Sequence, residues 1–215
     1  MKAVIFDMDG VLVDSEEAMV RSAIQALESY GIHPVKDDFL EFVGMGEDMF
    51  VGGVARKHGL EYVMEMKDLA YRIYVEKAKD QVIVFDGAKH VLEQARKAGL
   101  KLAVASAADR IKVETNLACI GVDTGFFDGM VTGSEITRKK PHPDIFLEAA
   151  RIMGVRPGDC VVVEDALSGI EAAKRAGMAV IAVTTSFDRE TLEEAGPDRV
   201  ASSIRQAYEL IGDFL

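Results

Sequence analysis

The sequence predicts an α/β protein: a doubly wound parallel sheet with an all-helical segment inserted after its first strand. Three observations predict this. Short apolar runs recur along the 215-residue chain, helical patterns closed by glycine separate most of them, and residues 15–83 carry helical spacing without a convincing strand. The chain is long enough for one large domain or for a domain carrying an insert.

The elements follow in order. "AVIF" (3–6), "KLAVAS" (101–106), "GMVTG" (129–133), "CVVVED" (160–165) and "AVIAVTT" (179–185) read as strands apolar on both faces, and "RVA" (199–201) as a weaker one. "GAKHVLEQARKAG" (87–99) is a helix with Val91, Leu92, Ala95 and Ala98 on one face. "PDIFLEAARIMG" (143–154) starts at Pro143-Asp144 and stops at Gly154, and "LSGIEAAKRAG" (167–177) stops at Gly177. In the insert, "SEEAMVRSAIQALESYG" (15–31) is an amphipathic helix capped by Ser15, with Met19, Ala23, Ala26, Leu27 and Tyr30 inward. Further helices are expected at roughly 47–58 and 65–79, the first containing Gly52-Gly53, which suit close packing or a turn. Met45, Met49, Met64 and Met66 are expected in packing and on the insert's surface.

Hydrophobic residues make up 49% of the chain, so a packed core is expected rather than disorder. The formal net charge of -11 argues against a nucleic-acid binder, whose affinity rests on clustered Lys and Arg. There is no signal-peptide pattern at the N-terminus and no membrane-length apolar run, and Cys119 and Cys160 sit in apolar segments. These features predict a cytoplasmic protein with reduced thiols. His33, His58, His90 and His142 are scattered, with no zinc-ligand spacing.

Chemistry concentrates at one predicted sheet edge. In open α/β sheets, ligands bind beyond the carboxyl ends of the strands. Asp7 and Asp9 follow the first strand, Ser106 the second, and Glu164-Asp165 the "CVVV" run. Asp7 and Asp9 are two apart and share a side, and Gly10 lets the chain turn away. Two carboxylates about 4 Å apart repel by roughly 4 kcal/mol at an effective dielectric of 20, so such a gathering calls for a cation. An all-oxygen donor set suits Mg²⁺, and Lys140 in "RKKPHPD" supplies a second positive charge. Together with a serine hydroxyl these groups form a receptor for a phosphate dianion, beside one acid able to attack phosphorus and another able to carry a proton.

"FDMDG", "VASAA", "KKPHPD" and "VVVEDALSGIEAAKRAGM" together resemble the four ordered motifs of the haloacid dehalogenase superfamily, and the helical insert resembles the C1 cap of its β-phosphoglucomutase and phosphoglycolate phosphatase branch. The resemblance implies a Rossmann-like core (1–14 and 84–215) and a helical cap (15–83), with hinges near 14–16 and 80–86. It implies Asp7 as nucleophile and metal ligand. Asp9 would be the acid and base, with its backbone carbonyl on the metal. Ser106, Ala107 and Lys140 would hold the phosphoryl group, and Asp165 and Glu164 would complete a Mg²⁺ site that Mn²⁺ or Co²⁺ could also fill. Lys140 is chosen over Arg138 and Lys139 because it directly precedes Pro141. Dehalogenating members lack the second acid, so Asp9 points away from dehalogenation.

The cap is expected to choose the substrate, and its loop "VGMGEDMF" (43–50) places Gly44, Met45, Gly46 and Glu47 toward it. That loop has no arginine, and Ala107, Ala108, Asp109 and Arg110 replace the small polar residues usual in mutases after the serine. Arg56, Arg72 and Lys77 are the cap's other basic candidates. The expectation is hydrolysis of a small phosphomonoester, a sugar phosphate, by a monomer. The alternatives are a β-phosphoglucomutase-type mutase or a phosphoglycolate phosphatase. A receiver-type signalling module is shorter, lacks a helical insert and carries its phosphorylated Asp after a later strand.

Overall fold

In the computed structural model, which describes residues 2–42 and 46–214, β1 (Ala3–Phe6) lies inside a parallel sheet. The chain passes through β2 (Val13–Asp14) and leaves the sheet for α1 (Glu16–Glu28), α2 (Glu47–Lys57) and α3 (Met64–Gln81). It returns through β3 (Ile83–Val84), which pairs antiparallel with β2. Helix and strand then alternate: α4 (Ala88–Lys97), β4 (Lys101–Ala105), α5 (Arg110–Ile120), β5 (Gly129–Val131), α6 (Asp144–Met153), β6 (Cys160–Glu164), α7 (Leu167–Arg175), β7 (Ala179–Val183), α8 (Arg189–Glu194), β8 (Arg199–Ala201) and α9 (Ile204–Ile211). The six-stranded sheet has the order β5-β4-β1-β6-β7-β8. No described helix is long and apolar enough to cross a membrane.

The period of two along each strand builds a core on each face. Val4 and Phe6 of β1, Leu102 and Val104 of β4 and Val161 and Val163 of β6 pack with α4, α5 and α9. Ala3 and Ile5, Ala103 and Ala105, and Cys160 and Val162 pack with α6, α7 and α8. Burying a side chain such as Phe6 stabilises by about 1.5–3 kcal/mol, and β1 has nothing exposed. β1 therefore has a strand on each side and a helical layer on each face. The winding direction reverses beside it, which makes its carboxyl end the switch point where open sheets place ligands.

Between β2 and β3 the chain forms a separate apolar cluster from α1, α2, α3 and the 3₁₀ turn Lys36–Phe42, around Leu27, Phe39, Val54, Ala70 and Tyr74. Gly52 and Gly53 are there for close packing. A Cβ on Gly52 would sit 2.8 Å from the Tyr62 ring, and one on Gly53 2.4 Å from the Phe42 ring.

Several expectations are corrected. Ser15 stands at the start of α1 but caps nothing with its side chain, because its hydroxyl donates to Asp9 instead. Ile83, the last residue of the segment expected to be helical, is instead the first of the two-residue strand β3, too short to show a period. Ala98 lies past the last turn of α4 and is exposed, and Tyr30 is only half-buried. The insert's methionines divide between packing and surface as expected, Met66 buried and Met49 and Met64 exposed, with Met45 outside the described residues.

Candidate active site

The carboxyl ends of β1, β4 and β6 carry Asp7, Ser106 and Glu164, because register aligns Phe6 with Val104 and Val163. Asp7 and Glu164 come one position after that row, and Ser106 follows two after it, just past Ala105. All three are nearly buried: Asp7 is 7% exposed, Ser106 2% and Glu164 1%. Lys140, from the loop before α6, reaches between two of them. Its Nζ donates to Asp7 Oδ1 at 2.5 Å and to Glu164 Oε1 at 2.6 Å. The other Glu164 oxygen accepts the backbone N–H groups of Asp165 and Ala166, each at 2.7 Å, which fixes the turn into α7.

The charge balance is tight. Burial pushes the Asp7 carboxyl up to about 7 against the pull of Lys140, with Glu164 and Asp9 adding to the rise. Burial likewise lifts Asp165 to about 8, helped by Glu164 and Asp7. Burial works against the charge on Lys140, but Asp7 and Glu164 outweigh it and hold the ammonium protonated. One lysine thus bridges two of the three acids, and burial holds Asp7 and Asp165 well above the usual carboxylate range.

Asp7, Glu164 and Asp165 each offer an oxygen, these atoms lying within 4.8 Å of one another. A hard, all-oxygen, buried donor set short of positive charge fits Mg²⁺. The Asp9 side chain lies outside this trio. Both its oxygens are engaged elsewhere, Oδ1 by the Ser15 hydroxyl and Oδ2 by Lys112 Nζ at 3.1 Å. Gly10 permits the crowding: its φ is +79°, and a Cβ there would lie 1.8 Å from Asp165 Oδ2.

This edge opens into a cleft of about 730 Å³ that also holds Ala107. Residues 4–183 match the haloacid dehalogenase-like hydrolase family. The chain belongs to that family. Over 208 residues this hydrolase is 42% identical to the protein SUPPRESSOR OF QUENCHING 1, chloroplastic, of Arabidopsis thaliana, a match covering 95% of the chain but 20% of that much longer protein. It is 32% identical to a phosphorylated carbohydrates phosphatase of Thermotoga maritima, covering 91% of the chain and 92% of the relative. The crystal structure of CbbY from Rhodobacter sphaeroides in complex with phosphate superposes with a TM-score of 0.84 at 27% identity, covering 98% of this chain and 96% of that one.

The cap side of the hydrolase's cleft is formed by Ser15, Glu16, Met19, Phe42, Gly46 and Phe50. Of the four loop residues expected there, Gly46 lines the cleft, Glu47 opens α2, and Gly44 and Met45 lie outside the described residues. The cap's basic candidates do not line it: Lys77 bonds Gln25, Arg56 lies over the Tyr62 ring, and Arg72 lines a second groove. Lys139, passed over in favour of Lys140, does line the cleft while donating to the Gly133 carbonyl.

Sequence reasoning missed Ser15, Lys112 and Ser186, whose hydroxyl donates to Asp165. Lys112 had a signal. In "DRIKVETNL" it stands with Asn116 at helical spacing beside Val113 and Leu117, polar residues on an inward face. Ser186 lies in a loop after β7 with no such mark.

Proposed function

We propose that this hydrolase is a Mg²⁺-dependent phosphatase of small phosphomonoesters, with phosphorylated sugars as its substrate class, working through a phosphoaspartyl intermediate on Asp7. The observation that carries the reading is the Lys140 bridge between Asp7 and Glu164, beside Asp165 and Ser106. A nucleophilic carboxylate needs its attacking oxygen aimed and its repulsion from a dianion cancelled, and a buried ammonium does both.

Ser106, the Ala107 backbone and Lys140 bind the phosphoryl oxygens. An Asp7 oxygen forms a bond to phosphorus as the bond to the sugar oxygen breaks, and Asp9 gives that oxygen its proton. Asp9 then takes a proton from water as the water oxygen attacks phosphorus, which frees phosphate and restores Asp7. Asp7 and Asp165, with Glu164 adjacent, would hold Mg²⁺, or Mn²⁺ or Co²⁺ in its place, and the bound ion supplies charge neutralisation for the transferred group.

A mutase must hold a second polar group of a phosphorylated intermediate while it turns over. Relatives named β-phosphoglucomutase exist, but the described cap wall of this cleft presents Met19, Phe42 and Phe50 and no arginine or lysine. That wall favours hydrolysis. The test is phosphate release from a panel of sugar phosphates and phosphoglycolate, with Mg²⁺ and with chelator, alongside Asp7→Asn and an assay of hexose 1-phosphate to 6-phosphate conversion. Chelator-sensitive release absent from the variant supports the reading. Isomer conversion faster than release overturns it in favour of a mutase.

A further inference from the structure

Asp9 is gripped at both carboxylate oxygens, and one grip comes from a lysine that no phosphate-binding motif contains. Lys112 projects from the first turn of α5, its side chain 10% exposed, and its Nζ lies 3.1 Å from Asp9 Oδ2. It lines the same cleft as Lys140 but comes from a helix on the other face of the sheet: α5 packs with Val4 and Phe6, whereas α6, which follows Lys140, packs with Ala3 and Ile5. An ammonium this enclosed is costly unless it is paired, and a lysine loses much rotamer freedom when held in one geometry. The position is built as well as occupied. One turn further along the same buried face, Asn116 accepts a hydrogen bond from Tyr74 of α3, so the face of α5 that carries Lys112 is also where the cap rests on the core. Ser15 holds the other Asp9 oxygen from the start of α1, so the acid is gripped from both the core and the cap side.

We infer that Lys112 is a positioning residue for proton transfer: with Ser15 it fixes the Asp9 carboxyl in the cleft, in the orientation that serves the oxygen leaving phosphorus. The inference rests on the acid–base reading of Asp9 given above. Lys140 already occupies Asp7 and Glu164, so the phosphoryl end has its own lysine, and Lys112 faces Asp9, which Lys140 does not bond. In the step it serves, the O–H bond of Asp9 breaks, an O–H bond forms on the leaving oxygen, and the electron pair of the breaking P–O bond stays with that oxygen. A poor leaving group needs that proton and a nitrophenolate does not.

The test compares kcat/KM of Lys112→Met with a sugar phosphate and with p-nitrophenyl phosphate, since this ratio reports the steps through phosphoryl transfer. The expected result is a loss of about 10-fold or more with the sugar phosphate and about twofold or less with the aryl ester, within the range spanned by general acid catalysis. Lys112→Arg, which keeps the charge, is expected to recover most of the loss. Lys112→Gln stands in if the methionine variant does not fold. Equal losses with both esters would overturn the inference and make Lys112 a structural or substrate-binding group. Asp9→Asn in the same assay separates the two claims. If it lacks the bias toward the sugar ester, the acid–base reading itself fails; if it shows the bias and the Lys112 variants do not, only the positioning role fails.

Discussion

Lys140 reaches Asp7 across 133 positions of sequence, Nζ to Oδ1 at 2.5 Å, and the side chains of both are 9% exposed. Removing one partner of a buried pair leaves a desolvated charge behind, at a cost of about 3–5 kcal/mol. Lys140→Met should therefore lose stability, and more so at pH 8 than at pH 6, because at lower pH Asp7 and its neighbours can take up protons instead of standing as bare charges. Urea unfolding at the two pH values measures the difference. Equal losses would show that the pair contributes little beyond packing.

The pH dependence of the metal-free protein follows from the same cluster. Asp7 at about 7 and Asp165 at about 8 hold protons that the unfolded chain releases near 3.8. Their contribution to stability is complete below about 3.8 and is lost as pH rises through 7 to 8. Mg²⁺ requires the deprotonated carboxylates, so its stabilising effect has the opposite slope. With chelator, the melting temperature should fall between pH 6 and pH 8.5. With millimolar Mg²⁺ the upward shift should be larger at pH 8.5. A shift independent of pH would mean that the ion is held by other groups.

The long buried strands were legible because each is an uninterrupted apolar run, and the acids at their ends because polar residues there break that run. Asp7 directly follows β1, Ser106 directly follows β4, and Glu164 is the last residue of β6, so the strand ends, readable as the ends of apolar runs, put all three at one edge. The second grip on Asp9 was not legible. Ser15 fits a helix cap equally well, and its choice of Asp9 over its own helix depends on how β2 folds back from Gly10. Lys112 lies 103 positions from Asp9, and their meeting depends on the seating of α5 after β4.

Gly169 in the first turn of α7 offers a test of Glu164 that leaves every acid in place. A Cβ there would lie 1.7 Å from Glu164 Oε1 and 1.9 Å from its Cδ. Because Glu164 is buried and tied to Lys140, it has no open path of retreat. Gly169→Ala should therefore weaken Mg²⁺ affinity and turnover together, although alanine is the better helix former by about 1 kcal/mol. Isothermal titration with Mg²⁺ decides the matter, and unchanged affinity would remove Glu164 from the metal's surroundings.

Gly53 sets two effects of known sign against each other in the cap. In the interior of α2, alanine gains about 1 kcal/mol over glycine. Its Cβ would meet Phe42 at 2.4 Å from Cε1 and 2.6 Å from Cζ, and relieving such overpacking typically costs about 1–3 kcal/mol. Phe42 is half-buried and lines the cleft, so it yields by moving toward the space where the substrate's sugar would lie. Gly53→Ala should thus change stability by no more than about 2 kcal/mol in the destabilising direction. It should raise KM for sugar phosphates while leaving kcat for p-nitrophenyl phosphate within about threefold, since the phosphoryl end is untouched and only uniform substrate binding is lost. If KM for the sugars does not change, Phe42 does not form the substrate-facing wall, and the cap's selectivity lies elsewhere.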